Sequence, residues 1–245
     1  MFQLNLHKLN ATQSTNKELK NRLKENRINS GDVLWSLNQT DGRGQQNSVW
    51  YAKVNKHLAY SAFLCFENLK HEWIYSINSA TALAIADTLI YFKVPNISIK
   101  WPNDILSGQK KICGILIENQ LNKKKIKSII GIGVNLYQEF FNDKLPNATS
   151  VLIETKKSVD LKNFLNKISI NLEKYLSFCS NPYVYDLNSN FHQKLFFWKK
   201  KIKFKIDNEV ITAKINKVLL NGLIELKLNN GKIRQFYPKQ IKMIY

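Results

Sequence analysis

Arginine is nearly missing from this chain: of 37 basic side chains only Arg22, Arg27, Arg43 and Arg234 are arginine, and the rest are lysine. Base-specific reading of nucleic acid leans on the bidentate arginine fork as much as on lysine. The formal charge of +19 therefore does not by itself name a nucleic-acid function. Lysine is abundant together with asparagine and isoleucine, whose codons are also AT-rich, so a biased base composition would give the same excess. Such a surface binds polyanions weakly and with strong salt dependence. Specific DNA binding is not expected.

Cysteine is scarce too. Cys65, Cys113 and Cys179 are odd in number, far apart and in no metal-ligand spacing. They read as reduced, buried small hydrophobes of a cytosolic protein. Long apolar runs are absent: the longest, Ile74 to Phe92, is interrupted by Asn78, Ser79, Thr81, Asp87 and Thr88, too polar to span a bilayer. The start, "MFQLNLHKLNATQST", lacks a charged segment followed by an apolar one, so no signal peptide and a cytoplasmic location are expected. A length of 245 residues with 44% hydrophobic content suffices for one substantial domain plus a small appendage.

What is present is ordered along the chain. Thr15-Asn16-Lys17-Glu18 has the spacing of a capping box, predicting a helix through "KELKNRLKENR". "DVLWSLNQ" and "HLAYSAFLCF" read as strands, with "TDGRGQQNSVW" as a loop between them. Residues 71–92 form a long helical candidate, with Trp73, Ile77, Ala80, Leu83, Ala84 and Leu89 at helical spacing. "ISIKW" is a short strand that Pro102 stops, "DILSGQKKICGILIE" a hairpin turning at Ser107-Gly108-Gln109, and "KSIIGIGVNL" a buried strand ending in a glycine-containing bend. Residues 160–196 read as two helices broken at Ser180-Asn181-Pro182. After Trp198, "KIKFKI", "EVITAKINKVLL", "LIELKL" and "KIRQFYP" are short strands, with turns at Asp207-Asn208, Asn221-Gly222 and Asn229-Asn230-Gly231. Lysine runs such as "NKKKIK" read as solvated turns.

Two constellations carry chemistry. In "QTDGRGQQNSVW", Gly42 and Gly44 allow positive φ and close approach of backbone to a ligand, and Arg43 adds a bidentate cation. The P-loop ending is missing, and a Gly-Arg-Gly loop taken alone is more often a plain solvent turn than an anion cradle. In "KWPNDILSGQKKICGILIE", Pro102 stiffens a corner that presents Trp101, Asn103 and Asp104. Lys111 follows on the hairpin's second strand, with Gly114 leaving room for close approach. An ammonium beside an apolar strand needs an anion partner or must snorkel outward, and Lys111 taken alone fits both.

"STN" at 14–16, "QTDGRGQ" at 39–45, "KWPNDIL" at 100–106, "KICGILIE" at 111–118 and "GIGVNL" at 131–136 resemble, in order, the motif series of the biotin–protein ligases. The resemblance implies an α+β fold. This is a mixed β-sheet with flanking helices, of the class II synthetase-like biotin–lipoate ligase type, followed by a small C-terminal SH3-like β-barrel. It divides the chain into a catalytic domain, 1–196, and a C-terminal β domain, 197–245. It further implies that biotin and ATP, with Mg²⁺, give biotinyl-5′-AMP and pyrophosphate. A lysine of the biotin carboxyl carrier protein of acetyl-CoA carboxylase then takes the biotinyl group. By the same resemblance Lys111 and Arg43 are the catalytic residues. Ser14, Thr15, Asn16, Gln39, Gly44, Gln45 and Gly114 join them in binding biotin or adenylate, with Gly42, Trp101, Asn103, Asp104, Gly133 and Asn135 in support. Trp101 or Trp50 would cover the ligand, and loop 41–49 would close over it. Gln45 stands where many relatives carry arginine, and Gln46-Asn47-Ser48 replaces the further "RGR".

The nearest rival is a lipoate–protein ligase of the same fold, whose dithiolane would leave the polar set at 14–16 and 39 unpaired. A DNA-binding repressor is the second; the motifs begin at Ser14, so no N-terminal helix-turn-helix is expected. A ligase decayed to a binding protein is the third, and the intact Arg43 and Lys111 speak against it. The resemblance leaves open the metal ligands and the choice between monomer and homodimer.

Overall fold

The computed structural model describes residues 3–45, 48–51, 53–121, 125–143, 145–180, 182–207 and 209–245. Parts of the expected 46–48 segment, the "NKKKIK" turn, the break at Asn181 and the turn at Asn208 lie outside the described residues. The described helices and strands pack as a seven-stranded sheet with helices and a separate five-stranded sheet.

The first sheet has the order β1-β2-β3-β7-β6-β5-β4. Its strands are β1 (Asn5–Lys8), β2 (Asp32–Ser36), β3 (His57–Phe66), β4 (Ile97–Lys100), β5 (Asp104–Ser107), β6 (Lys110–Leu121) and β7 (Ile126–Asn135). Only the β1–β2 pair is parallel, so the sheet is mixed. β3 and β7 form its centre, in register from His57↔Asn135 to Phe66↔Ile126. Alternation along β3 divides the two faces. Leu58, Tyr60, Ala62 and Leu64 enter the main core, while Phe63 joins Leu19, Leu34 and Ile129 in a smaller one on the opposite face.

The main core lies under helix α2 (Tyr75–Tyr91), buried almost continuously from Ser76 to Leu89. A helix apolar all round must be enclosed on all sides. The sheet covers α2 on one side, and α4 (Leu161–Leu176) and α5 (Val184–Gln193) pack against it elsewhere. Buried polar pairs pin the layers: Asn171 Nδ2 donates to Thr88 Oγ1 at 2.9 Å, and Tyr60 and Ser169 hydroxyls meet at 3.0 Å. On the other face the short α1 (Thr15–Lys24) covers only part of the sheet. That incomplete cover makes room for a site.

The second sheet is antiparallel, in the order β11-β10-β9-β8-β12. It comprises β8 (Lys201–Ile206), β9 (Glu209–Val218), β10 (Ile224–Leu228), β11 (Ile233–Phe236) and β12 (Ile241–Ile244). The β9–β10 turn wedges against the first unit. Trp101 Nε1 donates to Gly222 O at 3.1 Å and Tyr75 N to Leu220 O at 3.0 Å. Gly222 has φ +92, and a Cβ there would lie 2.7 Å from the Tyr75 ring.

Several expectations need correction. The cap of α1 is Ser14, whose side chain accepts from Lys17 N, and not Thr15. Glu18 instead pairs with Arg22 one turn on. Gly131 and Gly133 lie within β7, not in a bend at its end. The 71–92 segment opens as a 3-10 turn, His71–Trp73, before α2 begins. Strands β1 and β12 and the short helix α3 (Val151–Thr155) have no counterpart in the sequence reading, being too short for periodicity to register. The Trp101–Pro102 peptide is cis.

Burial is the main cause that holds the imidazoles of His57 and His192 below their ordinary 6.5; for His57 it outweighs a backbone hydrogen bond with Lys53 that raises it. His192 Nε2 accepts from Val218 N at 2.8 Å, a bond that requires the unprotonated nitrogen. The unfolded chain takes up these protons near 6.5 while the folded chain does not. The corresponding stability is complete above that pH and is lost as pH falls below it. We expect Tm to fall on acidification from about pH 7.5 to 5, and His192→Gln, which still accepts from Val218, to flatten the fall. Identical slopes in the two proteins would remove His192 from this account.

Candidate active site

Two adjacent cross-strand rows face the side that α1 leaves open. Ala59, Gly133, Gly114 and Asp104 are successive register partners across β3, β7, β6 and β5, and Ser61, Gly131 and Leu116 form the next row. Small residues here leave a floor of bare backbone, and other groups use the space. A Cβ at Gly131 would lie 2.3 Å from Asn16 Oδ1; one at Gly133 or Gly114 would lie 2.8 or 2.9 Å from the Trp50 ring. The "GIG" and "CG" glycines are therefore places where other side chains lie against the sheet.

The N-terminus of α1 supplies the polar wall. Ser61 Oγ donates to Asn16 Oδ1 at 2.6 Å, so the Thr15 hydroxyl, also 2.6 Å away, must donate to Ser61. Asn16 Nδ2 donates to Glu118 Oε2 at 3.0 Å, and Glu118 is also held by Lys20. Thr15 N donates to Gln39 Oε1 at 3.0 Å. The Gln39 amide nitrogen has no partner among the described residues and remains available to a ligand.

Loop 41–50 forms the next wall. Trp50 N bonds Gly42 O at 2.8 Å and Gly44 N bonds Ser48 O at 2.7 Å. Two features differ from expectation. Neither Gly42 nor Gly44 is among the residues with positive φ, and the Gly44 N–H is spent inside the loop, so it is not offered to an anion. Their lack of a side chain matters for space: a Cβ at Gly42 would lie 2.7 Å from Gln39 Nε2, and one at Gly44 2.4 Å from Ser48 Oγ. Arg43 is 59% exposed and uses one N–H on Asp41 at 3.1 Å. Trp50 Nε1 is buried without a partner among the described residues.

The Pro102 corner and the β5–β6 hairpin close the cavity. Asn103 and Ile115 bond reciprocally, Asn103 Nδ2 to Ile115 O at 2.8 Å and Ile115 N to Asn103 O at 2.9 Å. That clamp directs Asp104 to Lys111, with Nζ and Oδ1 2.6 Å apart and side chains 37% and 20% exposed. Lys111 Nζ also lies 5.5 Å from the centre of the Trp50 ring. An ammonium has three donors, so the Asp104 pair leaves Lys111 able to meet a ligand anion. Behind it Cys113 is fully buried, and burial pushes its thiol well up, which keeps it neutral.

The cavity is a half-open cleft of about 330 Å³, within the range of small-molecule sites. Ser14, Thr15, Asn16, Gln39, Arg43, Gly44, Gln45, Asn103, Asp104, Lys111, Gly114 and Gly133 all line it, although their numbers span 14 to 133. Gly42, Trp101 and Asn135 do not. Of the two tryptophans, Trp50 lies in the cavity, while Trp101 is 6% exposed and turned to Gly222. Asn135 Nδ2 is committed to Thr149 O at 2.9 Å. Ser61 and Ala59 line the cavity and escaped the sequence reading, while Ser48 and Val49 line it as part of the expected loop 41–49. Ser61 left one signal, a small hydroxyl residue among the large apolar side chains of its strand.

Residues 9–135 match the sequence model of the biotin/lipoate A/B protein ligase family. The chain belongs to that family. Among relatives, the bifunctional ligase/repressor BirA of Bacillus spizizenii is 31% identical over 170 residues, 68% of this chain and 51% of that one. The biotin–[acetyl-CoA-carboxylase] ligase of Mycobacterium tuberculosis is 30% identical over 144 residues, 58% of this chain and 52% of that one. The chain thus spans about half the length of the curated relatives it matches. The biotin protein ligase of Aquifex aeolicus, solved with biotin and ATP, superposes with a TM-score of 0.78 at 25% identity, covering 98% of each chain. The fold of this family, a mixed sheet with helices and a separate C-terminal antiparallel sheet, is the one described above.

If Trp50 rests on bare backbone, a methyl group there must displace it. We expect Gly133→Ala to lower unfolding free energy by about 1–3 kcal/mol in urea titration. An unchanged midpoint would mean that the indole does not lie on this strand.

Proposed function

We propose that the protein is an ATP-dependent biotin–protein ligase. It activates biotin as biotinyl-5′-AMP and transfers the biotinyl group to a lysine of the biotin carboxyl carrier protein of acetyl-CoA carboxylase. The observation that carries this reading is the division of chemistry within one cavity. Hydrogen-bonding groups of Thr15, Asn16 and Gln39 gather beside the Ser61–Gly131 row, while the Lys111–Asp104 pair lies at the Gly114–Asp104 end and Arg43 lines the same cavity from its loop. The first suits a ureido ring and the second a carboxylate meeting phosphates. The family and the fold shared with the Aquifex protein support it.

In the first step a biotin carboxylate oxygen attacks the α-phosphorus of ATP, the bond to the β-phosphate oxygen breaks, and pyrophosphate leaves. Two anions must approach, so fixed cations favour the transition state. Lys111, ready beside Asp104, serves the carboxylate and the developing adenylate linkage; Arg43 keeps N–H groups beyond the one on Asp41. In the second step the carrier amine attacks the acyl carbon, AMP departs, and an amide remains with loss of a proton. Asp104 is the one carboxylate lining the cavity among the described residues. Asp104 would hold an Mg²⁺ brought by the ATP phosphates, and the ion would supply charge neutralisation of those phosphates. We read 1–196 as the catalytic domain and 197–245 as an accessory β domain.

The test is incubation with Mg-ATP and either biotin or lipoate, following pyrophosphate release and the bound acyl-adenylate by mass. Biotin-dependent adenylate, reduced about 10²-fold or more in Lys111→Ala, is the expected result. Activity with lipoate alone would overturn the substrate, and silence with both would overturn the reaction.

A further inference from the structure

Lys111 occupies an irregular place in the sheet. The β5–β6 register slips between Ile105↔Cys113 and Leu106↔Lys111, so Ile112 is an extra residue, a β-bulge that re-aims its neighbour. On the other side β7 pairs with β6 only from Cys113 onward. The loop before α3 replaces it: Lys111 N donates to Asn147 O at 2.7 Å, and Thr149 N to Lys111 O at 2.9 Å. Both backbone hydrogen-bonding groups of Lys111 therefore depend on where residues 147–149 lie.

Two side chains fix that loop. Asn135 holds Thr149 O from β7, as described above. The other is Glu154, one turn into α3: its Oε1 accepts from the fully buried Thr149 Oγ1 at 2.6 Å. Its Oε2 lies 3.0 Å from Ser107 Oγ, whose proton is shared with Pro95 O at 2.7 Å. Ser107 ends β5 opposite Lys110. One carboxylate thus ties together the elements on either side of Lys111, without lining the cavity.

We propose that Glu154 is a positioning residue for Lys111. It clamps the 147–149 loop to the end of β5 and so fixes where the Lys111 ammonium lies beside Asp104. The catalytic consequence rests on the role given to Lys111 above; the structural one does not.

Two measurements separate them. The first is amide hydrogen exchange in Glu154→Ala and in the shape-conserving Thr149→Val. Peptides covering 110–113 and 147–150 should exchange about tenfold faster while β3 and β7 keep their protection. Glu154→Gln, which still accepts from Thr149, should restore it. Unchanged or uniformly raised exchange would overturn the proposal whatever the reaction. The second is adenylate formation. Glu154→Ala should lower kcat about 10–100-fold with little change in KM for biotin, since a small misplacement acts on the transition state. In a Lys111→Ala background it should cost nothing further. Equal losses in both backgrounds would show that Glu154 does not act through Lys111. A wild-type protein making no adenylate would overturn the functional reading, leaving the exchange result to decide the clamp.

Discussion

Gly133, Gly114 and Gly131, central in two cross-strand rows, put backbone where a sheet usually puts side chains, and the cavity exists because α1 covers that face only in part. Asn16 and Trp50 both occupy volume that a Cβ on β7 would claim. Asn16 in turn meets Ser61 and Glu118, and Trp50 lies beside Lys111. The polar wall and the cationic side therefore share one requirement, a central strand with glycine at 131 and 133 on one face and large apolar side chains behind them on the other. Ile130, Ile132 and Val134 meet the second half of it in the main core.

A second dependence runs through the frame around that floor. The Pro102 corner directs Asp104 only while its neighbours hold it. Asn103 binds Ile115 on one side, and on the other Pro102 O receives Tyr75 OH at 2.7 Å and Asn78 Nδ2 at 2.9 Å. Tyr75 and Trp101 also receive the β9–β10 turn of the second sheet. The C-terminal sheet is thereby coupled to the corner through hydrogen bonds in a buried environment, where a lost partner costs more than a lost surface contact. Lys111 is set from both directions, by the corner through Asp104 and by the 147–149 loop through its backbone.

The sequence was most legible where one residue type has one use. Long apolar strands such as "HLAYSAFLCF", the enclosed helix α2 within the 71–92 segment, the glycine turn at 108 and the alternating C-terminal strands all form as periodicity and turn chemistry demand. It was less legible where a residue has several possible uses. Thr15 and Ser14 are both good caps, and only the position of Ser61 decides that Thr15 turns inward while Ser14 caps. Glycine in "DGRG" suggested positive φ or an anion cradle, whereas the structure uses it for clearance from Gln39, Trp50 and Ser48. Trp50 and Trp101 each had a flat face to offer, and which one meets the cavity depends on a turn more than a hundred residues away.

The sequence by itself determined the type of the long elements, the glycine turns at 108, 222 and 231 and the family motifs, because these follow from local periodicity, φ preferences and ordered short segments. It also named most of the residues that line the cavity, through resemblance and not through spacing. Tertiary structure alone decided that Ser61 joins Thr15 and Asn16, that Trp50 lies on the glycine floor, and that Lys111 is held by a loop reached only after β7. Those facts depend on strand register and on a bulge. A shift of one residue in either would exchange the faces of a strand without altering any local pattern.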